Sequence, residues 1–307
     1  LVKKVLLLLI SCAFITGVFA QRTKRFLQFP DSLKKPRVTI ASVGAVAITG
    51  TSLIMLNELW YKNYPRTNFQ TFNDWGEWEG VDKVGHGYSS YYVGVIGYNS
   101  MKWSGIKKPK ALAFGATWGL VYLTGMEILD GHSAQWGFSW GDMMANTLGT
   151  GLFLGQEMAW NEQRIVPKFS WHSTEFPAIR SEIMGESWHQ QIIKDYNGQT
   201  YWISANVSSF LGNKTRKFPK WISVSLGYGA NGMIGGHENP TFDKEGNLYP
   251  VLDRYSQYYF SLDIDLHRIE TQSKLMNAVL TGLSFLKFPF PAIEYNKNGF
   301  QFHPIYF

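Results

Sequence analysis

Ile222-Ser223-Val224-Ser225-Leu226-Gly227-Tyr228 alternates apolar residues with serine and glycine at every second position. That is the period of a β-strand with one apolar and one small or polar face. The same alternation recurs at Tyr201, Ile203, Ala205 and Val207, set between Trp202, Ser204, Asn206 and Ser208. It recurs again at Phe260, Leu262, Ile264 and Leu266, set between Ser261, Asp263, Asp265 and His267. Residues 275–286 break the series as a helix ahead of Pro289 and Pro291. The strands number four or five, against the ~8 of the smallest single-chain membrane barrels. A partial antiparallel sheet packed on a helical unit is therefore expected, with a barrel completed by further strands as the alternative. The ending, Phe302-His303-Pro304-Ile305-Tyr306-Phe307, resembles the terminal strand of outer-membrane β-proteins.

Upstream of about residue 166 the period lengthens. Residues 38–56 form a charge-free run rich in small residues, long enough to span a bilayer. Three weaker uncharged runs follow at 86–101, 111–126 and 143–155, the second containing Gly115-x-x-x-Gly119. Trp60, Trp103, Trp140 and Trp160 lie near their ends, where an interfacial belt would place them. The expected fold class is α+β: a membrane-associated four-helix bundle over 36–165, then an antiparallel β-rich region over 166–307.

Composition agrees. Among 307 residues, 16% are aromatic and only 17% charged, which suits a bilayer or its interface. One cysteine excludes a disulfide scaffold and a multi-thiolate zinc site. The net charge of +6 is scattered, so neither nucleic acid nor a nucleotide is an expected partner. Gly227-Tyr-Gly229-Ala-Asn-Gly232 matches a dinucleotide fingerprint, but Pro240 follows too soon for the long helix it requires.

The first twenty residues read as a signal peptide: Lys3 and Lys4, an apolar stretch, and Val18-Phe19-Ala20 before a cut at Gln21. Leu9-Ile10-Ser11-Cys12 also resembles a lipoprotein cleavage box, making Cys12 a lipidation candidate. Lys and Arg gather before the first run and between the second and third, which by the positive-inside rule puts that end in the cytoplasm. An export signal puts it outside. The conflict vanishes for a protein released to the periplasm or outer membrane.

An up-down helical path brings polar residues to one end. Asp82, Lys83 and His86 open the second helix, Glu127 closes the third, and Asp142 and Asn146 open the fourth. Glu58 ends the first; Asp130 and Ser139 lie in the connecting segment. Asp82, His86, Glu127, Asp130 and Asp142 are candidates for acid/base chemistry, and four of them (Asp82, His86, Glu127, Asp142) for a divalent metal, the one cofactor in view. Lys83, Asn146, Ser139 and Glu58 would complete a polar cluster. In the competing reading, Asp82 and Asp142 cap helices, Lys83 pairs with a carboxylate, and Asn146 ties helices together. Asp263, Asp265 and His267 share a strand face that could hold a cation or could be solvated.

The pattern Asp82-Lys83-x-x-His86, Glu127, Phe138-Ser139-Trp140-x-Asp142-x-x-x-Asn146-x-x-Gly149 resembles the YfiM-like uncharacterised lipoprotein family, including a longer Bacteroidota branch. It is more distantly similar to VanZ-like membrane proteins. The resemblance implies a Gram-negative envelope location and no established reaction. Two functions follow as expectations. One is a non-enzymatic, membrane-associated structural component binding lipid or another envelope protein. The other is a metal-assisted or acid/base hydrolase acting on an envelope lipid or glycan.

Overall fold

The computed structural model describes residues 29–62, 64–211 and 218–307. The signal segment and Cys12 lie outside them. Among the described residues four long helices come first: α1 (Lys35–Leu56), α2 (Val81–Trp103), α3 (Lys108–Asp130) and α4 (Trp140–Ala159). A parallel pair of two-residue strands, β1 (Thr71–Phe72) and β2 (Phe138–Ser139), ties the segment before α2 to the start of α4. Six further strands form one antiparallel meander in chain order: β3 (Ile165–Trp171), β4 (Gln199–Asn206), β5 (Ile222–Asn231), β6 (Tyr255–Ile264), β7 (Phe290–Asn296) and β8 (Gly299–Tyr306). A short helix, α5 (Lys274–Gly282), stands between β6 and β7. The class is α+β, with the antiparallel sheet in the C-terminal part.

The expected four-helix bundle is modified. Helices α2, α3 and α4 pack closely because glycines remove the side chains between them. A Cβ on Gly149 would stand 2.0 Å from the Gly87 carbonyl oxygen, and one on Gly119 would stand 2.1 Å from that of Ser90. Only glycine permits that approach. Helix α1 lies outside the trio with no buried residue. Arg37 stacks on Trp103 at one end, and Tyr122 donates to Ser52 at 2.7 Å toward the other. Both α1 and α3 are long and apolar enough to cross a membrane, by length and composition.

The sheet has more strands than expected, and it curls. Residues 285–287, leading into β7, bond along the free edge of β3: Phe169 N–H donates to Phe285 at 3.0 Å and Lys287 N–H to Phe169 at 2.8 Å. The small and polar face turns inward. Trp202, Tyr259, Ala292 and Tyr306 form the inner apolar cluster. Beside it Lys168 pairs with Asp263 at 2.6 Å, and Ser204 donates to the same carboxylate at 2.9 Å. Lys287 caps the Leu262 and Phe288 carbonyls at 2.8 and 3.0 Å. Asp263 is thus neither solvated nor open to a cation, because two buried ammonium groups already flank it. Asp265 is held by Arg268 at 3.0 Å, and His267 has left the strand for a 3-10 turn. Helix α2 lies against the outer side of β3 and β4, where Tyr92 donates to Pro167 at 2.6 Å and Tyr88 meets Phe169 and Tyr201.

Candidate functional site

A cavity of about 470 Å³ opens where the ends of α2, α3 and α4 meet the loops before β4 and after β5. Trp78, Glu79 and Gly80, all at positive φ, turn the chain sharply into α2. Such a run persists only where its surroundings enforce it. Trp78 N–H donates to the Gly236 carbonyl at 2.9 Å, Arg254 grips Glu79 at 3.0 Å, and Tyr228 donates to the Glu79 carbonyl. The next helical turn presents Asp82, Lys83 and His86 to the cavity or its wall.

Lys83 is the hub. Its Nζ lies 2.5 Å from Asp74 Oδ2, 3.0 Å from Asp142 Oδ1 and 3.3 Å from Asp82 Oδ2. The Asp142 oxygen faces it without the alignment of a hydrogen bond. Burial opposes the charge, but Asp82 and Asp142 outweigh it and hold the ammonium above its ordinary range. Burial also works against the Asp74 carboxylate, yet hydrogen bonds from Lys83 and Ser139 pull its pKa below normal.

His86 forms the second centre. Nδ1 stands 3.3 Å from Asn146 Oδ1 and 3.6 Å from Glu127 Oε1, and Nε2 stands 3.9 Å from Asp142 Oδ2. Burial disfavours the imidazolium, but Asp82, Asp142 and Glu127 together raise its pKa. Burial pushes the Glu127 carboxyl up to about 8, against the pull of His86. Burial, with Asp82 adding to it, raises Asp142 to about 7, and likewise Glu77 to about 7. Burial lifts Asp130 to about 6 against a hydrogen bond from Tyr61 at 2.7 Å. Acids displaced toward neutrality beside a histidine are suited to exchanging protons near pH 7.

Among the described residues, three buried atoms of the cluster have no hydrogen-bond partner: Glu127 Oε1 and Asn146 Nδ2 beside His86, and Asp142 Oδ1 beside Lys83. Glu127 is 1% exposed, so the orphaned oxygen is costly unless something from the cavity meets it. Asp82, His86 and Asp142 offer ligand atoms all within 4.8 Å of one another, a spacing a divalent cation could use. Any such ion would share Asp82 and Asp142 with the ammonium of Lys83.

Ser139 links the set. Its Oγ caps α4 by accepting from Asp142 N–H at 3.0 Å and donates to Asp74 at 2.6 Å; its own N–H donates to Glu127 at 3.2 Å. The expected capping roles of Asp82 and Asp142 are therefore replaced: Ser139 caps α4, and α2 has no side-chain cap. The freed Asp82 carboxylate accepts from Tyr196 at 2.7 Å.

The structure brings together Asp82, Lys83, His86, Glu127, Asp130, Ser139, Asp142 and Asn146. Glu58 does not join them; it pairs with Lys62 at 2.8 Å on an exposed turn. Sequence reasoning missed Asp74, Glu77 and Tyr196. The acids between Asn73 and Glu77 precede α2 closely enough to be flagged. Nothing local marks Tyr196, which lies in the turn before β4.

Residues 71–154 match the family described as predicted periplasmic lipoprotein (DUF2279). No curated protein and no solved structure matches the chain. The matched stretch runs from β1 through most of α4 and so contains nearly the whole polar cluster. The match supports an exported, envelope-associated protein related to an uncharacterised lipoprotein-like family, and it brings no reaction with it.

Proposed function

We propose that this chain is an exported envelope protein, of the YfiM-like kind, that performs acid/base hydrolysis on an envelope lipid or glycan entering the helix-end cavity. The observation that carries the reading is Glu127 Oε1, buried without a hydrogen bond and 3.6 Å from His86 Nδ1 in the cavity lining. Glu127 and His86 would pass a proton to and from the ligand, with Asp142 favouring the imidazolium. Lys83 holds the surrounding carboxylates in place. A divalent metal at Asp82, His86 and Asp142 would add a polarising charge.

The test is turnover of a panel of phospholipids, lipopolysaccharide and peptidoglycan fragments by the purified chain, beside His86→Asn and Glu127→Gln. The expected result is release of product by the parent and a loss of about a hundredfold or more in either variant. Absence of turnover by the parent across the panel sinks the hydrolase reading.

A second reading, a non-enzymatic binding or structural component, draws on Lys83, whose contacts with three carboxylates would serve a purely structural node equally well. It expects Glu127→Gln to have no effect on envelope phenotype and Lys83→Met to remove the folded protein.

A further inference from the structure

The curled sheet is inverted relative to a water-soluble one. Its charged residues are inside: Lys168, Asp263 and Lys287 are at most 4% exposed. Its large apolar residues are outside. On the central strands β5 and β6, Leu226 is 62% exposed and Phe260 47%; on β8, Phe302 is 66% exposed. Strand by strand the burial alternates accordingly, buried Ser223, Ser225, Ser261 and Glu294 against open Leu226, Phe260, Leu262 and Ile293. No Asp, Glu, Lys or Arg lies on the outer face of β5 through β8. In water this arrangement gains nothing from its apolar side chains and spends desolvation on its polar ones.

We infer that the outer face of β5 through β8 rests against the acyl chains of a lipid bilayer. Apolar-out, polar-in alternation is the pattern of strands whose surroundings are hydrocarbon and whose polar groups satisfy one another inside. Lys168, Asp263, Ser204 and Lys287 do so through the contacts given above. The choice of hydrocarbon over a protein partner rests on a second surface. Helix α1 packs on α2 and α3, whereas α2 covers the outer side of β3 and β4 and reaches the end of β5, where Val81 packs on Ala230; Leu226 on β5 and the outward residues of β6, β7 and β8 stay exposed. Helix α1 is likewise open, Val46 being 70% exposed, and is charge-free over residues 38–56. One docked protein covers one such surface; a lipid phase covers both. This inference is independent of the hydrolase reading.

The experiment uses the full unmodified chain, purified in detergent and reconstituted into phosphatidylethanolamine/phosphatidylglycerol vesicles. The vesicles carry a trace phospholipid with a diazirine on its acyl chain. After irradiation, adducts are located by tandem mass spectrometry. The expected result is labelling of Leu226, Phe260, Leu262, Ile293 and Phe302 as well as α1, with Ser225, Ser261 and Asp263 at background. Labelling confined to α1, or absent from both, overturns the inference, since the sheet face would then be covered by protein or bathed in water.

Discussion

Glu127 Oε1 and His86 Nδ1 face each other at 3.6 Å, and that oxygen makes no hydrogen bond. Burial keeps the Glu127 carboxyl protonated to about pH 8, so the neutral amide of glutamine is close to the native species. Glu127→Gln should therefore alter stability by less than about 1 kcal/mol at pH 7 while removing proton exchange with His86. Urea melts at pH 7, run beside the turnover assay, check both halves.

Lys83→Met should be severe. It leaves Asp74, Asp82 and Asp142 facing one another without their cation, and stranding a buried pair costs about 3–5 kcal/mol. Adding Asp74→Asn or Asp142→Asn should recover part of the loss, because one unpaired charge disappears. A double variant no more stable than Lys83→Met alone would contradict the hub role.

Glu77 supplies a pH signature of defined sign. Burial and the nearby Asp82 raise its carboxyl from 4.5 to about 7 in the fold. The folded state thus holds a proton that the unfolded chain releases above pH 4.5. Its stabilising contribution is complete below that value and is lost as pH rises toward 7. Glu77→Gln should gain on the parent by on the order of 2 kcal/mol between pH 4.5 and 8. Paired thermal melts across that range read the difference directly; a gap that is constant with pH refutes it.

Tyr196→Phe deletes the 2.7 Å hydrogen bond to Asp82 that joins the turn before β4 to the start of α2. A loss of about 1.5–3 kcal/mol is expected, since the acceptor is charged. In a double-mutant cycle with Asp82→Asn the two effects should fall short of additive.

Two glycines of α4, Gly149 and Gly151, should behave oppositely. Gly149→Ala places a methyl 2.0 Å from the Gly87 carbonyl and should cost about 3 kcal/mol. Gly151 has nothing within 4 Å, so Gly151→Ala should stabilise by roughly 0.5–1 kcal/mol through helix propensity. Circular-dichroism melts of the pair separate close packing from propensity.

Much of this was legible in the residues, for identifiable reasons. Gly115-x-x-x-Gly119 announces a close helix contact because glycine at that spacing has little other use on an apolar helix. The helix-end acids and His86 converge because short connections force antiparallel neighbours. Period two in β4, β5 and β6 divides each strand into two faces, but it cannot say which face turns inward. That depends on the curl set by Phe169 meeting residues 285–287 more than a hundred positions away. Tyr196 escaped for the same reason: its role is fixed by Asp82, 114 residues upstream. Helix α1 itself was legible as the run over 38–56, but its place outside the trio was not, because an apolar run looks the same whether its neighbours bury it or leave it bare.

Ser139 touches Asp74, Glu127 and the Asp142 amide at once. A residue bonded to three segments cannot be released by any one of them fraying. The segment before α2, the end of α3 and the start of α4 must then open in a single event. The Ser139 and Asp142 amide protons should exchange with solvent at one shared, slow rate, set by the loss of the whole helix-end assembly rather than by local breathing.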